Sequence, residues 1–164
     1  MEPPTRRFSN RQNDLNAPAT ISLIRPDDWH LHLRDGDALR DVVGHTARQF
    51  GRAVIMPNLR PPVTRVKDAL LYRERILSHL PANSGFNPLM TLYMTDQMSA
   101  EDIREVADNP HMLGVKLYPA GATTNSDAGV TALEGRYALF EVMQELGVPL
   151  LLHGEVTDPD IDNF

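Results

Sequence analysis

From Thr20 onward, short apolar runs alternate with segments of helical periodicity, and this alternation restricts the possible folds more than any other feature of the chain. Strands are predicted at Ser22–Leu33, Ala53–Asn58, Pro88–Thr95, Leu113–Pro119 and Pro149–Val156. Between them, Leu39, Val42, Val43, Thr46 and Phe50 mark a first amphipathic helix. Val66, Ala69, Leu70, Arg73, Ile76, Leu77 and Leu80 mark a second. The third opens with Ser99-Ala100-Glu101-Asp102, a capping-box pattern in which Met98 can staple against Ile103. The fourth opens with Thr131-Ala132-Leu133-Glu134, a similar pattern, and stops at Gly147 before Pro149. Repeated βα units of roughly thirty residues make an α/β protein with a parallel sheet, either open and doubly wound or closed as a (β/α)8 TIM barrel. No GxGxxG or GxxxxGK[ST] follows a strand, which removes the usual dinucleotide and P-loop readings.

With 164 residues, 41% hydrophobic and 23% charged, the chain can bury a core as a single domain. A net charge of -6 and a pI near 5.4 argue against nucleic-acid and membrane partners, which demand a clustered basic patch. The absence of cysteine leaves only nitrogen and oxygen side chains to hold a metal. Residues 1–19, rich in Pro, Asn and Arg, lack an apolar targeting core and read as a flexible arm of a cytoplasmic protein, with the folded domain spanning 20–164.

The chemistry centres on Asp28-Trp29-His30-Leu31-His32-Leu33-Arg34-Asp35. His-X-His on an extended strand puts both imidazoles on one face, within reach of a single metal ion. Arg34 shares that parity and offers a fixed cation to an anionic substrate group. His30, His32, Asn58, Lys116 and His153 all fall at or near C-terminal strand ends, where barrels of this kind build their active sites, and this favours the barrel. Val54, Met56 and Asn58 share a face, as do Gly114 and Lys116, while Val115 and Leu117 turn toward the helices.

Lys116, flanked by Val115 and Leu117, is costly on a buried strand unless paired or altered. It either reaches past the strand end to solvent or a substrate phosphate, or it adds carbon dioxide to become an anion able to bridge two metals about 3.5–4 Å apart. His153, after Leu150-Leu151-Leu152, is either a core histidine or a ligand, whereas His45, His79 and His111 lie away from the mouth. The loop 119–129 is small, polar and poor in anchors, fitting a lid or a plain mobile connection.

Four segments, Asp28-Trp29-His30-Leu31-His32-Leu33-Arg34-Asp35, Met56-Pro57-Asn58-Leu59, Gly114-Val115-Lys116-Leu117-Tyr118-Pro119-Ala120 and Leu152-His153-Gly154-Glu155, resemble the class II dihydroorotases of the amidohydrolase superfamily. The resemblance runs from about Ile21 to the C-terminus, with the motifs in order. It implies a (β/α)8 barrel, of which the first five strands and four helices are present here as an N-terminal half. It also implies two zinc ions held by His30, His32, His153 and carboxylated Lys116 (N6-carboxylysine). Arg34 and Asn58 would hold a substrate carboxylate, and Thr123 and Thr124 would sit on a loop closing over the substrate. The implied reaction is the reversible interconversion of N-carbamoyl-L-aspartate and L-dihydroorotate in pyrimidine (UMP) biosynthesis, by an enzyme that is a homodimer when complete.

The family's general-base aspartate and a further zinc histidine are expected beyond Phe164, so no catalytic acid/base is assigned within the chain. A complementary C-terminal half is required, and the isolated segment is expected to be inactive. Two alternatives stand beside this reading. One is another cyclic-amide hydrolase of the dihydropyrimidinase or hydantoinase type, whose substrates lack the carboxylate Arg34 would bind. The other is a non-catalytic half-barrel that serves as an assembly subunit.

Overall fold

The computed structural model describes residues 22–155 together with Asp160. The expected N-terminal arm and Val156, the last residue of the fifth predicted strand, lie outside the described residues. The element order is β1 (Asp27–Leu31), α1 (Gly36–Gln49), β2 (Arg52–Ile55), α2 (Val66–Ser78), β3 (Asn87–Tyr93), α3 (Ala100–Asp108) and β4 (Met112–Leu117). A 3-10 turn at Glu134–Arg136, α4 (Tyr137–Leu146) and β5 (Leu150–Leu152) follow.

The five strands are all parallel and stand in the order of the chain, β1-β2-β3-β4-β5. A doubly wound sheet reverses its strand order at a switch point, and no reversal occurs here. Right-handed crossovers between successive neighbours put the helices on one side of the sheet, so it curls as part of a barrel. The two faces divide as strand parity predicts. Ala53, Ile55, Leu92, Val115 and Leu117 join the core beneath the helices, with Leu39, Tyr72, Ile76 and Ile103 opposite them. Val54, Met56, Thr91, Tyr93, Lys116 and Tyr118 are buried, and of these none belongs to that core except through the strands themselves, which leaves them for the inner face. Gly114 is required where β4 meets the approach to β5, because a Cβ there would sit 2.4 Å from the Pro149 carbonyl oxygen. That carbonyl accepts the Val115 N–H at 3.0 Å.

The structure shortens the first predicted strand from Ser22–Leu33 to Asp27–Leu31. Pro26 has no N–H to give a ladder. At the other end Leu33 turns into the core and Arg34 takes a left-handed conformation with φ 63°. The second helix buries Val66, Ala69, Tyr72 and Ile76, so its inner face passes through Tyr72 rather than Arg73, which reaches back to Asn87 and the Pro88 carbonyl. In the first, Leu39, Val43 and Ala47 are buried and Val42 is 41% exposed.

The capping box expected at Thr131 does not form. The Thr131 hydroxyl and N–H both donate to the Asp96 carboxylate, at 2.7 and 3.2 Å, which ties them to another loop. The chain passes through the 3-10 turn first, and α4 begins at Tyr137 with no side-chain cap. It ends with Gly147 as its cap, where the sequence places the stop.

The capping box at Ser99 and Asp102 is present, and Met98 and Ile103 on either side of it are both buried in the core. Asp102 is only 4% exposed and also pairs with Arg65 at the start of α2, so one carboxylate joins two helix N-termini. Burial pushes its carboxyl up, but the bonds from Ser99 and the Arg65 guanidinium outweigh it and hold the group below the usual carboxylate range. A carboxyl lowered on folding stabilises above its unfolded-state pKa, and that stability fades as pH falls through the folded-state value. Asp102→Ala is expected to cost about 2 kcal/mol at neutral pH. In urea denaturation of the complete protein, the difference from the parent should shrink as pH drops below 3.8.

Candidate metal centre

His30 and His32 come together as the His-X-His pattern requires. Their Nε2 atoms stand 3.2 Å apart and their ring centroids 5.1 Å apart, with no acid between them. The Asn58 side-chain oxygen lies 2.8 Å from His32 Nδ1. An amide oxygen only accepts, so Nδ1 carries the proton and Nε2 keeps its lone pair, the tautomer a metal ligand needs. The imidazole of His30 is held below its ordinary pKa by burial and by the charges of Lys116 and His153. That of His32 is lowered by burial, against the Asn58 bond, with Arg34, His30 and Lys116 adding to the effect. Lys116, His153 and Arg34 thus stand within electrostatic range of the histidine pair.

Lys116 projects from the inner face of β4, 2% exposed, with its Nζ 5.1 Å from the centroid of the Tyr118 ring. Burial lowers its pKa, and no carboxylate among the described residues opposes that shift. Its burial speaks against a reach past the strand end into solvent, and leaves both a substrate phosphate contact and an altered lysine open. Tyr118 stacks on Tyr93 at 5.1 Å, and its buried hydroxyl has no hydrogen-bond partner. Burial raises both phenols, that of Tyr93 to about 12.

His153 lies 5.9 Å from the Tyr118 ring, with its backbone N–H donating to the Leu117 carbonyl at 3.0 Å. Its Nε2 meets the Glu155 carboxylate at 2.6 Å and is not directed at the histidine pair. His153 and Glu155 also border a hollow of about 430 Å³ between the ends of β4 and β5. A larger one, about 560 Å³ and bounded by Val66, Leu70, Glu74 and Glu105, lies between α2 and α3 and touches none of the site residues.

Asn58 is 2% exposed and both ends of its amide are engaged, the oxygen by His32 and the nitrogen by the Thr124 carbonyl at 2.9 Å. Asn125 returns a bond from its own amide to the Asn58 carbonyl at 3.0 Å. The expectation of a loop poor in anchors is therefore overturned. Ser126 is fully buried and closes a turn on Thr123 through its hydroxyl, which donates to the Thr123 carbonyl at 2.6 Å and accepts the Thr123 N–H at 2.8 Å. Pro119 and Val130 bridge the two ends. Gly129 fits where a Cβ would stand 2.4 Å from the Tyr118 carbonyl oxygen. The hydroxyls of Thr123 and Thr124 take no part in the hydrogen bonds found among the described residues.

His45, within α1, contacts Arg48, and His79 caps α2, so both lie outside the cluster as expected. Sequence reasoning passed over Tyr93 and Tyr118, although period-two parity along β4 already aligns Tyr118 with Lys116. It also passed over Ser126, for which a lone serine in a polar loop gives no signal.

A metal fits these residues. Among the described residues, no three His, Cys, Asp or Glu side chains are placed to hold an ion, so a metal here would need Lys116, altered to an anion, as a further ligand. Two imidazole Nε2 atoms converge near a buried amine that lacks an acid, and the neighbouring Tyr118 hydroxyl has no hydrogen-bond partner. An anion formed on Lys116 answers both deficits.

The curled parallel sheet, its one-sided helices and this cluster at the strand ends define part of a (β/α)8 barrel of the amidohydrolase type. No protein-family model matches the chain. The dihydroorotase of Ralstonia pickettii is 67% identical over 145 residues, covering 88% of this chain and 42% of that protein. The dihydroorotase of Nitrosococcus oceani is 58% identical over the same share of each. Among solved structures, the dihydroorotase of Campylobacter jejuni superposes with a TM-score of 0.76 at 42% identity, over 82% of this chain and 39% of that one. Saccharomyces cerevisiae dihydroorotase in complex with 5-fluoroorotic acid gives 0.73 at 35% identity, over 84% and 38%. An L-hydantoinase (dihydropyrimidinase) from Arthrobacter aurescens gives 0.63 at 16% identity, over 79% and 29%, a likeness of fold alone. The chain is similar to dihydroorotases over 88% of its own length and spans about two fifths of the length of the curated relatives it matches. No helix among the described residues is long and apolar enough to cross a membrane.

Proposed function

We propose that this chain supplies the metal-binding and carboxylate-binding side of a dihydroorotase, which interconverts N-carbamoyl-L-aspartate and L-dihydroorotate. The observation that carries the reading is the meeting of the His30 and His32 Nε2 atoms, 3.2 Å apart, beside a buried lysine with no acid partner, in a chain so similar to dihydroorotases. His30, His32, His153 and Lys116 as N6-carboxylysine would hold two zinc ions, with His153 turning from Glu155 to do so. The chemistry that such a pair supplies when bound is a water acidic enough to attack near neutral pH and a polarised ring carbonyl.

The remaining residues bind and orient. The Arg34 guanidinium, whose charge is felt at His32 and Tyr118, would clamp the substrate carboxylate as a bidentate partner and fix the ring over the histidines. Asn58 would add a hydrogen bond to that carboxylate on releasing the Thr124 carbonyl, and the hydroxyls of Thr123 and Thr124 would close over the ring. The hydantoinase reading explains the metal ligands equally but leaves Arg34 without a substrate group to meet.

The test is an assay of the complete enzyme on L-dihydroorotate and on dihydrouracil, which has the same ring without the carboxylate, alongside zinc analysis. Turnover of dihydroorotate alone, with about two zinc ions per site, is expected. Preference for dihydrouracil would move the reading to the hydantoinase type, and absence of zinc and of turnover would favour an assembly subunit. The 164-residue segment alone is expected to be inactive, because the site draws its acid/base from residues this chain does not provide.

A further inference from the structure

We propose that Tyr72 and Arg75, on α2, are positioning residues that set Arg34 in its left-handed conformation and so aim its guanidinium at the substrate carboxylate. The inference rests on the reading of Arg34 as the carboxylate clamp. Arg34 has φ 63°, a conformation that side-chain-bearing residues adopt only when their surroundings impose it. The surroundings here act from both sides of the residue. Leu33, 1% exposed, is locked in the core before it. After it, the Asp35 carboxylate accepts the Gly36 N–H at 2.9 Å and two bonds from Arg75, at 3.0 and 2.7 Å.

Arg34 itself is held through its carbonyl, which accepts the hydroxyl of the fully buried Tyr72. The Arg75 guanidinium lies over the Tyr72 ring, 5.4 Å from its centroid, so the two helix residues brace each other. With Leu33 turned inward and Asp35 bound to α2, the Arg34 charge acts at His32 and Tyr118 as well as at Tyr72. Among the described residues, neither Tyr72 nor Arg75 shares a hydrogen bond, ion pair or ring contact with His30 or His32, so their effect on substrate binding passes through Arg34.

The test is a double-mutant cycle in the complete enzyme, with kcat, KM for dihydroorotate and zinc content measured throughout. Tyr72→Phe removes one hydroxyl and leaves the packed ring. It is expected to raise KM about tenfold, with a smaller change in kcat and unchanged zinc. Arg75→Gln, a surface substitution, should act in the same direction and gives a second readout if the core variant folds poorly. In an Arg34→Met background neither change should raise KM further, because the group they aim is gone. An equal rise in that background would show general destabilisation and overturn the proposal. So would an unchanged KM in both single variants while Arg34→Met raises it, a result that leaves the carboxylate clamp intact. If Arg34→Met itself leaves KM unchanged, the clamp reading fails and this proposal fails with it.

Discussion

Replacing Lys116 with alanine is expected to strip the complete enzyme of paired metal and to abolish turnover, the largest effect of any single substitution in this chain. A protonated lysine within the field of two histidines would repel any ion those histidines held, so the proposed metal centre requires that the cation be lost. Burial has already begun that change by favouring the neutral amine. The neutral nitrogen can add its lone pair to the carbon of carbon dioxide and release a proton, leaving a carbamate with two oxygens at a position where no carboxylate among the described residues acts on Lys116. Alanine leaves the cavity but not the anion. Short carboxylic acids such as acetate or propionate should therefore restore part of both the zinc content and the rate. Metal analysis and turnover, each with and without added acid, check the claim, and full zinc with a normal rate in the variant would refute it.

Much of this site is legible in the sequence because it depends on period-two parity and strand ends, two features that survive errors in element boundaries. His30 and His32 meet although β1 stops at Leu31, since a residue beyond a strand keeps nearly the strand's direction for one more step. Lys116 falls on the inner face because Val115 and Leu117 are claimed by the helices. Parity gives no guide at Arg34, whose backbone is left-handed, with its carbonyl and the neighbouring Asp35 held by α2 from some forty residues away. Long-range side-chain bonds of this kind leave no local signature. The same holds for Thr131, whose capping pattern is overridden by Asp96, and for loop 119–129, whose anchors are Asn58 and a buried serine. Asn58 shows the limit from the other side. Its position at a strand end marks it for the site, but its hold on His32 and on the loop together appears only when the chain is folded.

Arg34→Met is expected to lower kcat/KM for dihydroorotate by about 30-fold to several thousand-fold, which corresponds to about 2–5 kcal/mol of lost transition-state binding. Methionine keeps much of the unbranched stem while removing every donor and the charge, so the loss isolates the carboxylate contact from packing. The figure sits high in the range for a charge-assisted bidentate pair because a ring shifted over the histidines also loses its alignment with the attacking water. Zinc content should not change, since the guanidinium holds no metal, and this separates the variant from Lys116→Ala. The substitution should also relieve some of the positive field at His32, which Arg34 helps to hold below its ordinary pKa. Substrate choice provides the sharper measurement. Dihydrouracil presents no carboxylate to Arg34, so any residual turnover of that neutral ring should be nearly the same in parent and variant. Parallel losses on both rings would mean that Arg34 acts on the chemistry or the fold rather than on the carboxylate, and an unchanged kcat/KM on dihydroorotate would return the hydantoinase type to first place.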